Sequence, residues 1–353
     1  MALLLADGFD LYANVADVVK SNWSSLNAAP GFSTSLGKYG GGCLTNSNQA
    51  NSWHTSLGSI ANSGSVYIAF WYYCAARASG GATDAIVRGS FLSGAIAFSV
   101  IHDTTGVVKV NNRLGAQIGS SSGAGTISNA AWHWVEILVS VGTSTANSTI
   151  TLQINGATLV NSAAADIWLN ANFDGRLETI EFAGSTGGAR FDDVIIWDNS
   201  GSSFNSWPLG EMQIDTFIPN GDGTNTDWTR STGATNYTLV DDGIGGTSND
   251  DTDYLSSSTA GNKTDILMSN FAVLPASIKA VQIRARAKKT DAGVRTWRAN
   301  AKVGVSVTNG PTVGQSTDYS WKRMGVFYVS PDTGVAWTAA KVNQMQVQLE
   351  LVA

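Results

Sequence analysis

Paired carboxylates are the first place to look for chemistry, because two acids on one strand face can serve as general acid and base or nucleophile. Two pairs lie close in the chain, Glu178 with Glu181 and Asp192 with Asp193. Successive side chains of an extended strand point to opposite faces, so offsets of three and of one separate each pair. That reading excludes glycoside hydrolysis by either pair. Gly119-Ser120-Ser121-Ser122-Gly123 matches the pattern of a serine nucleophile elbow. Such an elbow needs a strand before it and a helix after it, and here the surroundings are glycine and serine. His54, His102 and His133 stand apart, and no His, Cys or Asp spacing matches a zinc site. No catalytic residue and no metal ligand set is therefore expected, and the chain is expected not to be an enzyme.

Twelve tryptophans offer a different chemistry, stacking on sugar rings. Trp71, Trp134 and Trp197 fall inside apolar runs and are expected in a core. Trp53, Trp168, Trp207 and Trp228 lie near turns, and Trp53, Trp168 and Trp228 are the candidate glycan contacts. Charge offers a third. The net charge of −6 argues against nucleic acid as the main partner. Its distribution is uneven. From Glu211 to Asp265 ten acids face only Arg230 and Lys263, whereas from Lys279 to Lys302 eight bases face only Asp291. Arg284, Arg286, Lys288, Arg298 and Lys302 are the candidate partner-binding residues.

These side chains need strands to position them. Period-two runs recur along the chain and no helix-length 3.6 periodicity is found. Ser65 to Cys74 is apolar on both faces and predicts a central strand. Trp134 to Val141 and Ser148 to Ile154 predict two more, the second running into Asn155-Gly156, a strong hairpin signal. Phe191 to Trp197 predicts another. Further along, Val281, Ile283, Ala285 and Ala287 alternate with Gln282, Arg284, Arg286 and Lys288. Trp297, Ala299, Ala301, Val303 and Val305 alternate with Arg298, Asn300 and Lys302 in the same way. Joined through Thr290 to Gly293, these two runs predict a hairpin with one basic face. Like charges placed opposite each other destabilise a sheet, so that face is expected to meet something acidic, with Asp241, Asp242, Asp250, Asp251 and Asp253 as candidates.

Composition agrees with an all-β chain. Charged residues make up 14% of the 353, and 38 glycines, with serine, threonine and asparagine, fill the turns. The length suits two domains, a jelly-roll sandwich over 1–205 and a second, smaller β-sandwich over 206–353. Met1 to Asp7 lacks the basic start and long apolar run of an export signal, so synthesis in the cytoplasm is expected. Two cysteines do not make a disulfide framework, and Cys43 and Cys74 are expected as free thiols.

Residues 1–200 resemble the concanavalin-A-like or laminin-G-like jelly roll. The likeness rests on Asp7-Gly8-Phe9-Asp10-Leu11-Tyr12, on Trp132-His133-Trp134-Val135-Glu136-Ile137, on Ile150 to Gly156, and on Phe191 to Asp198. It implies that the first and last strands lie side by side. It also brings calcium into view, with Asp222 and Asp227 flanking a loop that lacks a third acid at ligand spacing. Residues 215–353 are similar to a module of tailed-bacteriophage virion proteins, through Gly221-Asp222-Gly223-Thr224, Trp228-Thr229, Asp253-Tyr254-Leu255, Ile278 to Ile283, and Asp332-Thr333-Gly334 with Trp337-Thr338. That likeness implies a structural component of a bacteriophage particle, such as a head decoration, fibre-base or tail-tip protein. Its expected partners are other virion proteins and further copies of the chain. A carbohydrate-binding adhesin contacting host glycans is the alternative. Neither nucleic-acid binding nor membrane insertion is expected.

Overall fold

The structure, a computed structural model, describes every residue except 1–2, 20, 22, 27–29, 49–50, 58–63, 78–82, 92, 145, 168–176, 201–206 and 243–251. Trp168, Asp250 and Asp251 fall outside the described residues. The chain divides into two compact units, Met1–Ile214 and Asp215–Ala353. The change of domain expected at 205/206 precedes this division by a short connecting segment.

The first unit is a sandwich of two antiparallel sheets, a jelly roll. One sheet runs in the order Ala157–Ser162, Thr149–Ile154, Ala131–Ser140, Ser65–Cys74, Ala189–Asp198, Cys43–Asn46 and Gly31–Ser33. Leu3–Asp7 pairs with Ala189–Asp198, Ala6 opposite Ile195 and Asp7 opposite Val194, so the opening and closing strands are neighbours. Ser65–Cys74 is central because both of its faces are apolar, which an edge strand cannot sustain. The turn at Asn155 and Gly156 has φ of 51° and 78°, the left-handed pair that a two-residue hairpin demands. The other sheet runs Gln117–Ile118, Val108–Asn112, Ile96–Asp103, Thr83–Phe91, Leu177–Ala183, Ser52–Ser56 and Trp23–Leu26. Phe70, Tyr72, Phe182, Phe191, Trp53 and Ile137 meet between the sheets in one continuous core.

Trp53 is therefore a core residue, fully buried, with its indole Nε1 donating to the Gly31 carbonyl at 3.2 Å. It cannot stack on a sugar, which corrects its placement among the glycan contacts. Position beside a turn was misleading because Ser52–Ser56 is a paired inner strand.

The second unit holds a six-stranded sheet with the path Pro219–Thr226, Lys263–Met268, Met345–Leu351, Thr296–Val303 and Ser306–Thr308, to which Val313–Gly314 adds at Thr296–Val303. Val281–Ala287 pairs instead with Ser320–Phe327 in a separate two-stranded sheet. The predicted hairpin between Val281–Ala287 and Thr296–Val303 is thus absent. Alternation was read correctly in each strand, but it says nothing about which strand becomes the partner. Trp297, Ala299, Ala301, Ile283, Met324 and Phe327 form this unit's own core. Among the described residues no helix is long and apolar enough to cross a membrane.

Candidate functional site

The outward face of the Ser65–Cys74 sheet is unusually aromatic. Tyr67, Trp71 and Tyr73 alternate outward along the central strand, Trp132 and Trp134 lie opposite Tyr73 and Trp71, and Trp197 lies opposite Tyr67. Tyr67 stacks on Trp197 at 5.2 Å with ring planes 10° apart. Trp71 and Trp134 meet at 5.3 Å, as do Tyr73 and Trp132.

Most of this face is covered by the unit's own last segment. Trp71 Nε1 donates to the Met212 carbonyl at 3.0 Å. Leu209 and Gly210 amides donate to Glu136 Oε1 at 2.7 and 3.2 Å. Ile214 N donates to Asp193 Oδ1 at 2.9 Å, and Trp207 packs on Tyr67 and Trp197. Burial raises the Glu136 carboxyl, and these two amide donors oppose the rise.

One end of the face stays open. Tyr73, Trp132 and Arg190 are half-buried, with the Arg190 guanidinium 4.4 Å from the Tyr73 ring centre. The glycine-rich loop Gly37-Lys38-Tyr39-Gly40-Gly41-Gly42 lies against Trp71, the neighbouring outward ring on the same strand as Tyr73. Lys38 Nζ lies 4.2 Å from the Trp71 ring centre, and the Tyr39 side chain is 52% exposed. Five side chains, Lys38, Tyr39, Tyr73, Trp132 and Arg190, thus combine ring surface with two cations.

The loop is held from beneath by two acids. Lys38 N donates to Asp192 Oδ2 at 2.6 Å and Gly42 N to Asp10 Oδ1 at 2.7 Å. A Cβ at Gly37 would lie 2.7 Å from Asp192 Oδ2, and one at Gly41 would overlap the Asp10 carboxylate. Burial pushes the Asp192 carboxyl up to about 7; bonds from the Lys38 and Asp193 amides oppose this, while Asp10 and Asp7 add to it. Asp193 has φ of 48° within a register shift between Asp192 and Ile195. The bulge turns both Asp192 and Asp193 away from the core, Asp192 to the loop and Asp193 to the covering segment. Strict alternation, the rule that separated these two acids, therefore fails here.

The opposite sheet carries a polar row on its outer side. Glu181 lies opposite both His54 and Arg88, and Arg88 Nη1 meets Glu181 Oε1 at 2.6 Å. Ser52 Oγ is 2.7 Å from His54 Nε2, but Ser52 is itself 3% exposed. Burial lowers the basicity of His54, which Glu181 partly restores. His102 bonds the buried Tyr72 hydroxyl at 2.9 Å, and His133 is enclosed by Ser128 and Asn155. Cys43 and Cys74 are buried free thiols that burial pushes up to about 12 and about 11. In the Gly119 to Gly123 run, Ser122 Oγ accepts the Val108 amide at 2.8 Å.

Asp222 receives the Asn236 and Tyr237 amides, and Asp227 receives the Lys263 amide, so both loop acids serve as backbone acceptors. Among the described residues no group of three His, Cys, Asp or Glu side chains is placed to hold a metal ion.

The five basic candidates do not share a face. Lys302 Nζ is buried against Asp265 Oδ2 at 2.6 Å, and Arg298 grips Glu350 through two nitrogens at 2.9 and 3.0 Å. Their acids come from Lys263–Met268 and Met345–Leu351, not from the expected 241–253 stretch. Arg284, Arg286 and Lys288 remain together on the other sheet, stacked against Trp321 and Tyr319. Trp228 is half-buried, its Nε1 donating to the Asn262 carbonyl at 3.1 Å, and it lines a shallow pocket with Thr226, Thr229, Arg230, Thr232 and Gly233.

No protein-family model matches the chain, and no curated protein matches it in sequence. Among solved structures it is similar to an alginate lyase in complex with alginate trisaccharide, with TM-score 0.41, 13% identity, 55% of this chain and 98% of that one covered. It is also similar to the carbohydrate recognition domain of Emp46p, with TM-score 0.38, 6% identity, and 57% and 100% covered. A carbohydrate esterase from Shiga toxin-encoding bacteriophage phi24B matches with TM-score 0.38, 13% identity, and 56% and 99% covered. The likeness is one of fold. It corrects the expectation that the chain is no enzyme: the neighbours are mostly enzymes, with further alginate lyases, a glycoside hydrolase and a sialidase among them. That exclusion is withdrawn, since it also rested on the alternation rule that fails at Asp192 and Asp193.

Proposed function

We propose that the first unit binds carbohydrate at the open end of its aromatic face. The observation that carries this reading is the contrast along one sheet. Where the covering segment lies, the rings are packed by the chain itself; where it stops, Tyr73, Trp132, Tyr39, Lys38 and Arg190 stay accessible. Flat aromatic surfaces take the apolar faces of sugar rings, and two cations beside them favour a sugar bearing a carboxylate or sulfate. Rings fixed by strand pairing lose little freedom on binding, which suits a weak, repeated ligand.

A glycan array followed by titration tests it. An acidic oligosaccharide is expected to bind, and Tyr73→Ala or Trp132→Ala each to weaken it about tenfold, the order of one lost stacking contact. Unchanged affinity in both variants would remove this surface from consideration.

The setting we propose is a bacteriophage particle, in which the second unit attaches the chain to other virion proteins. Its support is the order of the motifs from Gly221 to Thr338 and a composition poor in charge. Antibody against this chain should decorate intact virions in electron micrographs, and bare particles would count against that setting.

A further inference from the structure

The second unit holds a pocket of its own, about 390 Å³ in volume, lined by Thr226, Trp228, Thr229, Arg230, Thr232 and Gly233. Its two large side chains are fixed by the fold. Trp228 is half-buried and packs on the unit's core. Its amide donates to Thr264 Oγ1 at 3.2 Å and its indole Nε1 to the Asn262 carbonyl at 3.1 Å, so the ring is pinned at both ends. Thr229–Arg230 is a short strand paired with Leu255–Ser256. Arg230 is exposed, and its Nη1 donates to Asn236 Oδ1 at 3.0 Å. Asn236 is wholly buried and cannot drift, because its own amide donates to both carboxylate oxygens of Asp222 at 2.8 and 2.9 Å. The Tyr237 amide adds a third bond to Asp222 at 2.8 Å. Thr226, Thr229 and Thr232 are exposed and bring three hydroxyls to the same pocket.

We propose that this pocket binds one neutral hexose unit of a glycan, with the sugar ring against the Trp228 indole and adjacent hydroxyls on the Arg230 guanidinium. The volume lies at the small end of the roughly 300–1,000 Å³ of ligand pockets, which suits a single unit rather than a length of chain. An indole offers the apolar plane that a sugar's C–H face needs. The guanidinium fork offers parallel donors to two neighbouring oxygens, and threonine hydroxyls can donate or accept in return. Charge decides between a neutral and an acidic sugar. Arg230 is the pocket's one cation, whereas Asp222 stands directly behind Asn236 and Asp227 lies exposed between Thr226 and Trp228. An anion would therefore meet two carboxylates for one guanidinium. With ring and fork held before the ligand arrives, little freedom is lost on binding.

The test uses the full chain in ligand-observed NMR titrations with the methyl glycosides of glucose, galactose and mannose, and with the corresponding uronates. At least one neutral glycoside should bind with a dissociation constant on the order of 1 mM, unchanged as salt rises, and its uronate about tenfold more weakly. Arg230→Ala should weaken the neutral sugar about tenfold, and Arg230→Lys nearly as much, because lysine keeps the charge and loses the fork. Trp228→Ala should do the same, with Trp228→Phe keeping most of the affinity. Circular dichroism confirms that each variant is folded, and the exposed Arg230 variants stand alone if Trp228→Ala is not. Binding of none of the three neutral glycosides would overturn the proposal. So would tighter binding of the uronate, or an unchanged affinity in Arg230→Ala. The acidic-sugar site of the first unit stands or falls separately: Tyr73→Ala should leave the neutral sugar bound, and its loss in that variant would move the binding to the first unit and overturn the pocket.

Discussion

Asp192 in the first unit and Asp265 in the second are both almost wholly buried, at 4% and 0% exposure, yet they are displaced in opposite directions. Burial raises Asp192, whose partners are backbone amides and whose charged neighbours are Asp10 and Asp7, and the result is about 7. Burial works on Asp265 too, but Lys302, Gln348 and the Asn225 amide outweigh it and hold the carboxyl below its usual range. The partner, rather than the depth, decides whether a buried acid is a charge or a proton store. In the second unit the pair is structural, tying Thr296–Val303 to Lys263–Met268. In the first unit the acid sits under a loop that presents Lys38 and Tyr39, so its protonation is coupled to a surface.

Lys302→Met should have the largest effect, because it strands Asp265 as an uncompensated buried charge. A loss of about 3–5 kcal/mol is expected in urea unfolding of the second unit. A loss below about 1 kcal/mol would mean that water reaches the pair and the contrast is false.

The Asp192 prediction concerns pH. Its folded pKa lies above the unfolded value of 3.8, so folding binds the proton more tightly. The stability this confers is fully present below the unfolded pKa and is lost as pH rises through about 7, on the order of 2 kcal/mol between about pH 5 and about pH 8. Burial lowers the basicity of His54, His102 and His133, which acts on stability in the opposite direction. Asp192→Asn isolates the acid: relative to the parent, the variant should gain stability as pH rises. A pH-independent difference would show that Asp192 is already ionised at pH 5.

Gly41→Ala should be milder, at least about 1 kcal/mol, because a Cβ there overlaps Asp10 and shifts an exposed loop rather than a core. The sharper consequence is for glycan affinity, which should fall through displacement of Lys38 and Tyr39. An unchanged melting temperature together with unchanged binding would show the loop to be an unconstrained cover.

Much of the scaffold was legible from local pattern. Ser65–Cys74 and the Asn155-Gly156 turn declare themselves in a few residues, and the opening and closing strands pair as the resemblance implied. What local pattern does not carry is the identity of partners far along the chain. Arg298 and Lys302 read as part of a partner-binding basic face, because Glu350 and Asp265, 52 and 37 residues away, become neighbours only in the folded sheet. The Asp192–Asp193 bulge is invisible to a rule of strict alternation. The open end of the aromatic face had a signal that was not used: Lys-Tyr set among glycines at 37–42, and a central strand whose outward side alternates Tyr67, Trp71 and Tyr73.

The most direct test of the carbohydrate reading is a crystal structure of the first unit with whichever acidic oligosaccharide binds most tightly, at a concentration near its dissociation constant. The account predicts a sugar ring stacked on Tyr73 or Trp132, with its acidic group within hydrogen-bond reach of Arg190 or Lys38. Density on the opposite sheet, beside His54, Glu181 and Arg88, with the aromatic end left bare, would contradict it.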